Sequence, residues 1–141
     1  MKPLKILSIF LFAFVLSACA IPKKNTHSDL FGSTWQLNYI SGPRIAFGGL
    51  YPDKKPQISF NNETNKVEGS NSCNGYSADY RITGQNISFG EPGMSTMMYC
   101  GEGESVFLNT IKKINKYQID SSGNLVLLID DVAMMRFTKI N

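Results

Sequence analysis

Few residues in this chain are equipped for covalent or acid–base chemistry: three cysteines, one histidine and two acidic pairs. His27 precedes the first strand-like segment. A Ser-His-Asp or Cys-His relay needs an imidazole fixed in the core, so no catalytic residue is assigned. Zinc sites need clustered Cys and His ligands, and none cluster, so no metal site is expected. Glu102/Glu104 and Asp130/Asp131 could in principle serve as general acid and base. Their settings read instead as a helix opening and a hairpin turn. Gly101-Glu102-Gly103-Glu104 lacks the lysine and spacing of a phosphate loop. The chain is therefore expected not to be an enzyme, with a carboxylate-only enzyme as the alternative.

The cysteines divide into two kinds. Lys2 and Lys5 form a basic n-region, Ile6 to Leu16 an apolar h-region, and Leu16-Ser17-Ala18-Cys19 matches the lipobox of bacterial lipoproteins. Residues 1–18 read as a signal peptide and Cys19 as the lipidation site. Two other readings stay open. A membrane span needs ~20 apolar residues, and Ile6 to Ile21 supplies fewer. Ordinary secretion with cleavage after Ala20 would discard Cys19. Stable anchoring takes more than one acyl chain, and lipoproteins of this type carry several. Resemblance to the sorting pattern of lipoproteins in two-membrane bacteria implies that Ala20, rather than Asp, after the cysteine directs the chain to the outer membrane, facing the periplasm. Cys73 and Cys100 then remain as an even pair in an oxidising compartment, which suggests a disulfide; two free thiols are the alternative. Such a bond would contribute ~3–4 kcal/mol in the chain-entropy model.

Charge excludes one class of partner. The formal charge is +3, but removing Lys2 and Lys5 leaves 12 Lys+Arg against 11 Asp+Glu. Lys54-Lys55 and Lys112-Lys113 are isolated pairs, so no nucleic-acid footprint is present.

These residues must be positioned by a small fold. Residues 19–32 read as the lipidated cysteine and a flexible tether, and 33–141 as one domain. Trp35, Leu37 and Tyr39 alternate with polar residues, as do Ile58 and Phe60; both runs read as strands. Further strands are expected from Lys66, over Tyr76–Thr83, over Asn86–Phe89, from Tyr117, over Leu125–Ile129 and over Val132–Ile140. In the last, Ala133, Met135 and Phe137 share one face. Arg44 to Leu50 is ambiguous. A helix is expected from Glu102 to Asn115, with Phe107, Ile111 and Ile114 on its apolar side. Its two glutamates lie in the first turn and Lys112, Lys113 and Lys116 near its end, complementing the helix dipole. Met94, Met97, Met98 and Tyr99 form a soft apolar cluster, read as core packing rather than as an adaptable binding surface. The fold class is α+β: a curled antiparallel sheet, open or barrel-like, with one packed helix.

Short motifs occur in an order that resembles the META domain of HslJ-like lipoproteins. They are Trp35-x-Leu37, Pro56-x-Ile58-x-Phe60, Gly69-x-x-x-Cys73-Asn74-x-Tyr76, Thr96-x-Met98-x-Cys100, Glu104-x-x-Phe107 and Met135-x-Phe137. Gly69, Cys73, Asn74, Thr96, Met98 and Cys100 are the matching motif residues. Gly69 is expected to allow an unusual backbone angle, and Asn74 to bond nearby backbone or adopt a left-handed turn. The resemblance implies a small envelope domain tied to stress and drug tolerance; it implies no established activity, catalytic residue or cofactor, so no catalytic site is carried over and no cofactor is expected.

The expected function is a membrane-anchored, non-enzymatic envelope lipoprotein that supports envelope integrity by binding an envelope protein or a hydrophobic ligand. An inhibitor of an envelope hydrolase, or a pilot or chaperone lipoprotein for secretion, is the alternative.

Overall fold

The computed structural model describes residues 27–93, 98–99 and 101–141. The signal segment, Cys19, Met94, Thr96, Met97 and Cys100 lie outside the described residues. Eight antiparallel strands form one curled sheet: β1 (Thr34–Ile40), β2 (Gln57–Asn61), β3 (Lys66–Ser70), β4 (Gly75–Thr83), β5 (Asn86–Phe89), β6 (Lys116–Ile119), β7 (Leu125–Ile129) and β8 (Val132–Lys139). They pair in chain order, and β1 also pairs with β8, so the sheet closes on itself. Closure leaves the meander without a free first or last strand. A short helix α1 (Phe47–Leu50) fills the stretch that was ambiguous in the sequence. The longer α2 (Glu102–Ile111) lies between β5 and β6.

Alternation builds the interior. Trp35, Leu37, Ile58, Val67, Leu125 and Phe137 are all essentially inaccessible, as their period-2 placement requires. Burying each such side chain contributes about 1.5–3 kcal/mol. Ala133 does not join this face. A register shift between Leu127 and Leu128 puts Leu127 opposite Met135 and Leu128 opposite Ala133, and Ala133 is exposed. The irregularity breaks strict alternation, and a pattern count cannot see it.

Order starts earlier than the expected tether boundary. His27–Leu30 is a 3-10 turn, Leu30 is fully buried, and the Trp35 indole N–H donates to the Leu30 carbonyl at 3.1 Å. Phe31 bridges Phe60. Residues 27–31 of the tether expected over 19–32 are thus ordered against the sheet, because Leu30 and Phe31 are apolar enough to pack.

Helix α2 stops sooner than its periodicity suggests. The Lys113 and Ile114 N–H groups donate to Thr110 and Ile111, tightening the last turn, and the Asn115 N–H is taken by Leu128 of β7. Ile114 stays buried, so the apolar period outlasts the helix. Strands β5 and β6 meet at a single register pair, Asn86 with Lys116. The long connection between them, including α2, covers the end of the sheet that also carries Ser41–Pro43 and the β3–β4 turn.

Candidate functional site

Two neighbouring features occupy that end of the sheet: a buried polar clamp and an open groove. The clamp begins with Gly69. A Cβ there would sit 2.7 Å from the Gln57 carbonyl carbon and closer still to its oxygen, so only glycine lets β3 approach β2 this tightly. The turn that follows is closed by the Asn71 N–H donating to the Asn74 carbonyl at 3.0 Å. Ser72 adopts φ +136°, strained for a residue with a Cβ, and its hydroxyl donates to the Lys54 carbonyl at 3.1 Å.

This turn presents two asparagines inward. Asn74 is 2 % exposed and reaches a segment 24 residues away. Its amide donates to the Met98 carbonyl at 2.7 Å, while its side-chain oxygen accepts from the Met98 N–H at 3.0 Å. The same amide reaches both Glu104 carboxylate oxygens, at 2.9 and 3.1 Å, and Asn71 donates to Glu104 Oε1 at 2.7 Å. Bonds from two amides to one carboxylate are charge-assisted and strong. Asn74 thus bonds distant backbone rather than its own turn, and the left-handed position belongs to Ser72. Asn71 had no motif to mark it; its spacing of three from Asn74 across Cys73 was the available signal.

A second anchor lies on the other side of Glu104. Gly103 is buried, and a Cβ there would stand 2.7 Å from the Tyr51 ring and within overlap of the Leu50 carbonyl. The Tyr51 hydroxyl donates to the Gly103 carbonyl at 2.9 Å. Burial raises the Tyr51 and Tyr76 hydroxyl pKa values well above the ordinary tyrosine range. The Tyr76 ring packs edge-on against Phe107, yet its hydroxyl and the Asn71 side-chain oxygen are buried without a hydrogen-bond partner among the described residues. Cys73 is disulfide-bonded. Its expected partner, Cys100, lies outside the described residues, although Met98 and Gly101 on either side are within reach of the clamp and α2.

The groove runs along the exposed side of α2, between it, the Ser41–Pro43 turn and the β7–β8 hairpin. It encloses about 590 Å3 and has apolar surface from Val106, Ile129 and Met134. That size suits a small ligand. Tyr99, at its edge, is 88 % exposed, and Met98 is 65 % exposed. The core-packing expectation fails for these two residues: Asn74 grips the Met98 backbone and leaves both side chains outside. Glu102 borders the groove, whereas Glu104 is spent in the clamp. Asp130 and Asp131 form the hairpin turn as expected, with Asp130 at φ +55° and Asp131 ion-paired to Lys116 at 2.8 Å. No group of three or more His, Cys, Asp or Glu among the described residues could hold a metal ion.

The ordered motifs and this geometry coincide with a family match. The META domain model matches residues 28–141. The chain belongs to the META-domain family. The match begins at residue 28, in keeping with the buried Leu30. An NMR structure of a protein from Burkholderia xenovorans is similar in fold: TM-score 0.58 and 20 % identity, covering 89 % of this chain and 95 % of that one. No curated protein matches the chain.

Proposed function

We propose that this META-domain protein is exported, lipidated at Cys19 and held on the outer membrane facing the periplasm, where it supports envelope integrity under stress by binding rather than by turnover. The observation that carries the binding role is the open groove beside α2, with the exposed Tyr99 at its edge. Large exposed aromatics beside an apolar cleft favour recognition of a protein or hydrophobic ligand. The Glu104 carboxylate is saturated by amides, which favours a structural role for it over acid–base chemistry. The export half of the reading rests on the Lys2/Lys5 n-region and on Leu16-Ser17-Ala18-Cys19. The same reading pairs Cys73 with Cys100, stapling the β3–β4 turn to the segment that leads into α2.

The test is metabolic labelling with palmitate and membrane fractionation of the native chain and Cys19→Ala, followed by complementation of a deletion strain under heat or envelope-active drugs. Labelled, membrane-bound native protein and a soluble variant that mimics deletion are expected. A Cys19→Ala form that complements fully would overturn the anchored role.

A further inference from the structure

We infer that the groove beside α2 takes a short peptide of about five residues in extended form, its amino end at Glu102 and its terminal carboxylate at Lys113; this deepens the binding role proposed above and rests on it. Glu102, Ser105, Asn109 and Lys113 are spaced by three, four and four residues, so they form one stripe along α2 and the turn that ends it. All four are exposed and all four line the groove. The stripe therefore has an acid at one end, a base at the other, and a hydroxyl and an amide between them. Facing it is apolar surface that includes Met134, with Tyr99 at the edge.

Charge sets the occupant and its direction. The ion pairs among the described residues are Lys66–Asp79 and Lys116–Asp131, so neither Glu102 nor Lys113 has a partner within them. Eleven residues at ~1.5 Å rise separate the two charges by about 16 Å. An extended chain covers that distance in about five residues at ~3.3 Å each. A cavity of about 590 Å3 is in keeping with a molecule of this size. The α2 dipole favours the opposite direction, but it amounts to roughly half a charge at each end. The two whole side-chain charges outweigh it. Ser105 and Asn109 can donate to and accept from the peptide groups between the ends, which a purely apolar ligand would leave unused. Apolar side chains on one face of the extended peptide would meet Met134 and Tyr99.

The experiment uses the full chain in phospholipid nanodiscs and the pentapeptide Ala-Leu-Ala-Leu-Ala with both ends free, amino-acetylated or carboxyl-amidated. Binding is read by titration of the backbone amide signals of α2. The free peptide is expected to bind, and blocking either end to weaken it roughly two- to fivefold, the range for exposed charge pairs. Lys113→Gln should weaken the free peptide by the same factor and leave the amidated peptide unaffected. Glu102→Gln should do so for the amino end and the acetylated peptide. Equal binding of free and blocked peptides, or end sensitivity that survives both substitutions, would overturn the proposal. Chitotriose and an anilinonaphthalene sulfonate dye are titrated in parallel. A shift of the Asn109 signal with either of these but not with the peptide overturns the peptide and keeps the groove as a binding site. No shift with any probe removes both.

Discussion

Glu102 and Glu104 stand two residues apart in the first turn of α2, yet their surroundings differ. Glu104 accepts hydrogen bonds from Asn71 and Asn74 and locks the helix to the β3–β4 turn. Glu102 borders the groove and is exposed. Their position at a helix start, favourable for either acid, does not separate them. What separates them is the face of the helix each one occupies. On the inward face two amides hold the carboxylate, whereas on the exposed face Glu102 has no ion-pair partner among the described residues. Substitutions on the two faces should therefore differ in kind as well as in size.

Asn74→Ala is expected to have the largest effect. It removes both bonds to the Met98 backbone and leaves Asn71 as the one amide of the pair still donating to Glu104. The expected loss is about 3–5 kcal/mol, read as a lower midpoint in urea unfolding. Exchange of the Met98 amide should quicken at the same time. An effect below about 1 kcal/mol would mean that the clamp is not what orders residues 98–99.

Gly103→Ala should come next, at about 2–3 kcal/mol, because the added methyl meets the Tyr51 ring and the Leu50 backbone. Glu104→Gln should cost about 1–2 kcal/mol, since a neutral side chain replaces one that accepts from two amides. Thermal or urea unfolding checks both. If Glu104→Gln were silent, the contrast with Glu102 would collapse.

The strands were legible in the sequence because alternation is local. Asn86–Phe89 and Leu125–Ile129 match their expected bounds, and the alternating Ile58 and Phe60 lie in a strand as expected. The motif Gly69…Cys73-Asn74…Tyr76 marked the right turn, but not what Asn74 touches, because its partners lie 24 and 30 residues away. Nothing in a one-dimensional pattern reports that distance. Tyr99 was assigned to the core on apolarity alone; its exposure follows from the Met98 backbone being pinned by Asn74. Ala133 was lost to a register shift and Asn115 to a strand contact, both of them tertiary events. Leu30 and Phe31 were read as tether because two apolar residues among polar neighbours carry no period.

Two buried tyrosines sharpen the comparison at a smaller scale. Tyr51 donates to Gly103, so Tyr51→Phe should cost about 1 kcal/mol. The Tyr76 hydroxyl has no partner among the described residues, so Tyr76→Phe should be neutral or slightly stabilising. Burial raises both pKa values above the ordinary 10.0. The stability they contribute is complete below about pH 10 and is lost as pH rises through their folded values. Each phenylalanine variant should therefore show a shallower alkaline decline than the native chain in unfolding midpoints measured from pH 8 to 11.

Glu102→Gln should have the smallest effect on the fold, within about 0.5 kcal/mol, because the side chain is exposed and has no ion-pair partner among the described residues. The measurement is a urea midpoint indistinguishable from that of the native chain. The result matters because the two glutamates share one helical turn and one charge. If Glu102→Gln proved as costly as Glu104→Gln, both acids would act through the helix start, and the face they occupy would be irrelevant. If it left stability unchanged, the Glu102 charge would be free of any structural duty, as a group facing a ligand must be.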